Sequence, residues 1–378
     1  MGLHPTWPVT IGVAGSYGGL NMGDEAILTV IVSELRRRIP GVRLVVFSRN
    51  APHTIEHHDV EAVVDARTSS RSELADALSG LALLLLGGGG LLYDSEASSY
   101  LHVVRTAQRL GVPTATYAIG AGPLHRTADR AAVAEALSVM DLITVREPTA
   151  RRLLEEIGVE GEIVVTADPA LLLEPAPLPV DMLQRERLET GRRLVALSVR
   201  ESGGAAAAET ADREFHALLA TAADFIVQRF DAQAVFVPME REDLREAHRV
   251  ISHMARPECA TVLTGTYTPG QLRAVMGSFH MAVGMRLHFL IFAASAGVPI
   301  APLPYAAKIG AFLKAIGLEE PDAVAATNPG TLLAGIDRLW DLRDEQLSRV
   351  SQRLPELRAA AASTATMTAE LVGARAPA

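Results

Sequence analysis

Five basic residues stand where apolar runs give way to helical patterns: Arg146, Arg200, Arg286, His288 and Lys308. The stretch SFHMAVGMRLHFLIFAASAGVPI, followed by APLPYAAKIGAFLKAIGL, predicts two successive strand–helix units. The helices begin near Met285 and Lys308 and stop at Gly297 and Gly317, where glycine readily takes the left-handed conformation of a helix end. Arg286 and His288 then fall in one first turn and Lys308 starts the next helix. A helix N-terminus carries partial positive charge and disfavours a cation, so three such side chains placed there point to an anion held between them. Arginine suits a carboxylate or phosphate through its planar fork, lysine acts as a point charge, and histidine can pass a proton near neutral pH. Singly, each reads more readily as a surface or ion-pair residue, and His288 as a hydrogen-bonded core histidine. Together, at the ends of parallel strands, they would share one edge and fit a small ligand with both phosphate and carboxylate.

A second group lies near the N-terminus. Val9 to Ala14 predicts a strand that breaks into GSYGGLNMGDEAIL, a glycine-rich loop before a helix starting near Asp24. Capping and dipole effects explain Asn21, Asp24 and Glu25 as well as function does, yet the same residues could hold the hydroxyls of a sugar. LALLLLGGGG predicts a strand from Leu81 to Leu86, apolar on both faces as in parallel sheets. The glycines that follow, Gly88 and Gly89 among them, would let a ligand approach the backbone. Asp168, before Pro169, reads as ordering a turn. His53 and His57 have the spacing of a helical metal pair, but Pro52 and polar neighbours favour a solvated loop, so no metal site is expected.

To place these residues, the chain repeats strand, glycine loop and helix, the pattern of a doubly wound α/β fold. Its 378 residues suggest two domains: residues 1–175, a linker at 176–190 that takes in most of the proline-rich EPAPLPV, residues 191–350, and a C-terminal helix and tail at 351–378. The core is ample at 49% hydrophobic residues, and a net charge of −9 argues against nucleic-acid partners. One cysteine, Cys259, excludes an internal disulfide framework. With no basic–apolar leader at MGLHPTWPVT and no apolar run near the ~20 residues that span a bilayer, a cytoplasmic protein is expected. The dinucleotide glycine fingerprint, the Walker loop, the serine-hydrolase elbow and the zinc motifs are all missing, so those chemistries lose their usual support.

GSYGGLNMGDEAIL, LLLLGGGGLL, ITVREPTARRLLEEIGV with VTADPAL, and GMRLHFLIFAASAGVPIAPLPYAAKIGAFLKAIGL, in that order, resemble the polysaccharide pyruvyltransferase family. The likeness runs from about Val9 to Leu318. It departs at Tyr305-Ala306-Ala307-Lys308, where an acidic residue and often proline are expected between tyrosine and lysine. The resemblance implies two Rossmann-like domains with parallel sheets in a GT-B-like arrangement with an interdomain cleft. It implies transfer of a pyruvyl group from phosphoenolpyruvate, a co-substrate, to two hydroxyls of a sugar, with no cofactor. Arg146, His288 and Lys308 would be donor-site residues, with Arg286 beside them and Arg200 a weaker addition. His288 would be the general acid and Asp24 or Glu25 the base toward a glycan or lipid-linked acceptor, the latter bringing transient contact with a membrane surface. Two alternatives stay open: a nucleotide-sugar glycosyltransferase of the same fold, and a non-catalytic two-lobed sugar- or anion-binding protein.

Overall fold

The computed structural model describes residues 9–201, 209–303, 307–321 and 328–375. The loop glycines Gly203 and Gly204, and Tyr305 and Ala306, lie outside the described residues. Two compact units divide the chain: residues 1–173 with 356–378, and residues 174–355.

The first unit alternates strands and helices: β1 (Thr10–Ala14), α1 (Met22–Arg38), β2 (Arg43–Ser48), α2 (Ala51–His57), β3 (Ala62–Asp65), α3 (Arg71–Ser79), β4 (Leu83–Leu92), α4 (Ala97–Arg109), β5 (Thr114–Ala121), α5 (Thr127–Leu137), β6 (Ile143–Val145), α6 (Pro148–Glu156) and β7 (Ile163–Val165). The strands pair in parallel in the order β3-β2-β1-β4-β5-β6-β7. Strand order reverses between β1 and β4, which opens a crevice at their carboxyl ends. Leu83 to Leu86 are each at most 1% exposed, because helices cover both faces of a parallel sheet; burying each such leucine stabilises the fold by roughly 1.5–3 kcal/mol. The glycines expected to end that strand continue it instead: β4 runs through Gly87–Gly90 to Leu92, with its register shifting between Gly90 and Leu92. Pairing of Gly89 with Ile119 and of Gly90 with Gly120 supplies backbone hydrogen bonds that glycine can make as well as leucine can.

The segment expected as a solvated loop around His53 is α2. Asn50 caps it, accepting from the His53 N–H, and Pro52 sits in its first turn, where a missing N–H costs nothing. His53 and His57 stack with ring centroids 4.1 Å apart, and the His57 Nδ1 faces the His53 carbonyl at 2.9 Å.

The second unit holds α7 (Met182–Arg185), β8 (Arg193–Ser198), α8 (Glu209–Phe230), β9 (Ala232–Phe236), α9 (Arg241–His253), β10 (Ala260–Val262), α10 (Pro269–Met276), β11 (Met281–Gly284), α11 (Leu287–Ser295), β12 (Ile300–Pro302), α12 (Ala307–Ala315), α13 (Pro329–Asp341) and the first part of α14 (Arg343–Ala374). Its parallel sheet has the order β10-β9-β8-β11-β12, reversing between β8 and β11. Residues 176–190 pack on this unit rather than connecting freely. The Ala176 N–H donates to the Gly270 carbonyl, and buried Glu186 accepts from the Thr264 and Gly265 N–H groups and the Tyr267 hydroxyl at 2.9, 2.8 and 2.6 Å. The tail expected as a separate element is the end of α14. From Glu356 it belongs to the first unit, where Thr364 donates to Thr166 at 3.0 Å and Arg38 to the Ala362 carbonyl. Among the described residues, no helix is long and apolar enough to cross a membrane.

Candidate functional site

In the first unit the strand-end residues gather at the reversal point. Asn21 caps α1, its Oδ1 accepting from the Gly23 and Asp24 N–H groups at 3.0 and 3.4 Å. Asp24, one turn in, faces the glycine strand: a Cβ on Gly89 would lie 3.2 Å from its Oδ1. Gly89 has φ +100°, a conformation other residues adopt only with strain, and Gly88 is packed beneath Ile27 and the Tyr117 carbonyl. Arg146, leaving β6, lies across Gly120, where a Cβ would come within 2.9–3.1 Å of the guanidinium. Asp24, Gly88, Gly89 and Arg146 are therefore brought to one edge.

Arg146 is held rigidly. Its Nε donates to Glu147 at 2.7 Å and its Nη1 to Asp168 at 2.9 Å, with its side chain 4% exposed. Burial opposes its charge, but the two carboxylates outweigh that and raise its pKa further, so the guanidinium is permanently charged. Its Nη2 makes no hydrogen bond among the described residues and points toward Gly120 and Gly90. Asp168 does order the turn, accepting from the Ala170 N–H at 3.0 Å; its second oxygen takes Arg146.

Glu25, expected to contact substrate, is 2% exposed and has both oxygens engaged. Oε1 accepts from the Gly18 N–H at 2.9 Å and Oε2 from His58 Nε2 at 2.8 Å. It supports the loop from behind.

In the second unit Arg200 follows β8 and Arg286 follows β11, the two strands at the reversal point. Arg286 has extended backbone as the residue capping α11, so His288 is the second residue of that helix. From Leu287 to Ala294 every side chain is buried except that of His288, which is partly buried, with its Nε2 shielded from solvent. Lys308, the second residue of α12, is partly buried.

These cations do not form a bare positive patch. Arg286 donates to Asp243 through Nε at 3.2 Å and Nη2 at 2.5 Å, and pairs with Glu240; Glu201 lies 3.9 Å away and itself pairs with Arg200. Glu201, Glu240 and Asp243 have oxygens within 4.8 Å of one another, the spacing of a cation site, and the cation among them is the Arg286 guanidinium. Sequence reasoning missed these acids, although Glu147 and Glu201 directly follow the arginines they pair with and Glu240 caps α9.

Burial pushes the Asp243 carboxyl up to about 6, with Arg286 opposing. A carboxyl that holds its proton more tightly folded than unfolded adds stability at acidic pH, and that contribution is lost as pH rises from about 4 through 6. Melting curves between pH 4 and 7 should show this decline, and Asp243→Asn should flatten it.

Two parallel sheets flanked by helices, each with its candidate residues at a strand-order reversal, define an α/β protein of the GT-B-like class. A family model for polysaccharide pyruvyl transferase matches residues 21–306, and the chain belongs to that family. No curated protein matches it. Among solved structures, a putative UDP-N-acetylglucosamine 2-epimerase from Listeria monocytogenes is similar at 12% identity and TM-score 0.66, with 94% of each chain covered. UDP-GlcNAc 2-epimerase from Neisseria meningitidis follows at 10% identity and 0.65, covering 96% of this chain and 98% of that one. The ADP-heptose lipopolysaccharide heptosyltransferase II of E. coli aligns at 12% and 0.50, covering 89% and 99%. At such identities the likeness is one of fold.

Proposed function

We propose that this protein moves the pyruvyl group of phosphoenolpyruvate onto two hydroxyls of one sugar in a cell-wall or extracellular polysaccharide precursor, forming a cyclic ketal and releasing phosphate. Family membership over residues 21–306 supports the transferase class. The observation that carries the reading is Arg146: a buried, permanently charged guanidinium whose Nη2 donors are directed at a glycine-lined strand edge.

The chemistry asks for few groups. One sugar hydroxyl adds to C2 of the enol while C3 takes a proton and becomes methyl. The second hydroxyl then replaces phosphate at C2, so one hydroxyl proton ends on the methyl group and the other leaves with phosphate. His288 is assigned as the acid that delivers the C3 proton, and Asp24 as the base toward the acceptor. Arg146, Arg286 and Lys308 bind the carboxylate and phosphate and stabilise the charge that develops on the leaving group, with Arg200 contributing through Glu201. Asn21, Gly88 and Gly89 shape the acceptor side, Gly88 by letting the strand pack beneath Ile27 and Gly89 by letting Asp24 approach the backbone. Because Asp243 and Glu240 occupy Arg286, a bound anion competes with them for its donors. Arg146 offers Nη2 without such an exchange.

A glycan acceptor is plausible for a polysaccharide transferase, and a mass-spectrometric screen of candidate glycans with phosphoenolpyruvate identifies it by a gain of about 70 Da, the mass the proposed ketal adds. Thermal shifts with phosphoenolpyruvate and with UDP-GlcNAc separate this reading from a nucleotide-sugar transferase: stabilisation by UDP-GlcNAc alone, with no phosphate released from phosphoenolpyruvate, would overturn it. Gly120→Ala supplies a finer check. The new methyl group would meet the Arg146 guanidinium at 2.9–3.1 Å and shift it by a few tenths of an ångström, so turnover should fall several-fold, by less than the ~10²-fold that follows a displacement near 1 Å.

A further inference from the structure

The glycine loop between β1 and α1 carries Asn21 and leads into Asp24; Arg49 donates to the Ser16 carbonyl and hydroxyl, and three further contacts hold its shape. Tyr17 drops its ring into the core, fully buried, into space left by Gly15 and Gly87. Its carbonyl accepts from the Arg49 N–H at 3.0 Å and the Ser48 hydroxyl at 3.2 Å. The next residue, Gly18, at φ +74°, is pressed so closely on the start of α2 that a Cβ would lie 2.5 Å from Ser48 Oγ and 2.7 Å from the Asn50 nitrogen. The third contact is the only one of the three between ionisable side chains. His58, just past the end of α2, donates from Nε2 to Glu25 on α1, and Glu25 accepts the Gly18 N–H with its other oxygen. Both side chains of the pair are 3% exposed. A charged residue with both oxygens engaged and almost no water is costly to retain unless its geometry is used.

We propose that the Glu25–His58 pair is a latch joining α2 to the glycine loop, and that His58 is thereby a positioning residue for Asn21 and Asp24 on the acceptor side of the site. The placement is reached in two steps. Losing the His58 donor leaves the Glu25 carboxylate buried with one unmet oxygen, so it turns away to find another partner. The Gly18 N–H then loses its acceptor, and the loop is released where it packs on Ser48 and Asn50. Neither partner reaches solvent, so neither touches substrate. The functional half of this inference rests on the pyruvyl-transfer reading; the latch itself does not.

Amide hydrogen exchange on the full chain tests it without any ligand. In His58→Ala, exchange at Gly18 and Gly19 should quicken at least tenfold, while the buried turns of α1 from Ile27 to Leu35 keep their protection. His58→Gln, whose amide can donate from a similar place, should restore the loop to within about threefold of the natural protein. Unchanged loop exchange in His58→Ala overturns the latch. If His58→Ala loses protection throughout, Glu25→Met, which offers no oxygen to Gly18 or His58, decides the matter: faster exchange confined to the loop supports the latch, and unaltered exchange refutes it. With the acceptor identified by the 70 Da screen (the ketal mass given above), His58→Ala should lower kcat at least tenfold and His58→Gln should recover it, with the KM for phosphoenolpyruvate within twofold throughout. A raised KM for phosphoenolpyruvate would place the pair's effect on the donor and overturn the positioning role. A blank screen counts against pyruvyl transfer only, since the exchange result stands apart from it.

Discussion

His288→Ala is expected to lower turnover by 10²–10⁴-fold, on the order of what a positioned proton donor contributes, while phosphoenolpyruvate still binds. The expectation follows from where the residue sits. α11 is apolar and buried along Leu287–Ala294 apart from this one imidazole, so replacing it should leave the packing of Phe289, Leu290 and Phe292 intact. Binding would fall to Arg286 and Lys308 on either side in sequence, which the substitution leaves in place. Phosphate release under saturating acceptor, together with calorimetric titration of phosphoenolpyruvate, reads both halves. Turnover within a few-fold of the natural protein would remove His288 from the chemistry. Loss of phosphoenolpyruvate binding with the fold intact would make it a binding group instead.

Arg146→Ala should produce the largest combined loss. Removing the guanidinium strands Glu147 and Asp168 against one another, with Asp168 almost wholly buried, and breaking a buried pair in this way costs about 3–5 kcal/mol. Activity should fall below detection as well, because the Nη2 donors directed at Gly90 and Gly120 are gone. The two effects can be separated. In the double variant Arg146→Ala, Asp168→Ala the stranded charge is removed, so much of the stability should return while activity stays lost. Recovery of both would make Arg146 a structural ion-pair partner and nothing more. Arg146→Lys keeps a charge but cannot donate to Glu147, Asp168 and a ligand in the fixed directions of a guanidinium; its turnover should remain down by at least about tenfold, the effect of losing one oriented charge-assisted bond worth roughly 1.5–3 kcal/mol.

Much of this architecture was legible without coordinates. Alternating apolar runs and glycine-stopped helices announced parallel sheets, and the stops at Gly297 and Gly317 stand at φ +73° and +78°. Arg146, Arg200 and Arg286 do follow strands, as their spacing required. The glycines after Leu86 were read as a break and are strand, because backbone pairing with β5 does not depend on side chains. The α2 segment was read as loop because Pro52 and its polar neighbours weigh against helix locally, whereas Asn50 capping and the burial of Thr54 and His58 favour it. The acids that meet these cations were not anticipated. Counting cations at strand ends ignored acids arriving from elsewhere: Asp168 comes from 22 residues away, Asp243 from 43 and Glu240 from 46.

The order of residues along the chain therefore determined which side chains reach a strand end, since the periods of strand and helix are local and repeat within a few residues. It determined the class of fold for the same reason. Only the tertiary structure decided which of those side chains are already engaged. Arg286 meets Asp243 and Glu240, and Glu25 meets His58 across 33 residues, through the packing of separate helices against a sheet. Electrostatic balance depends on distances of a few ångströms in space, and separation along the chain does not report them.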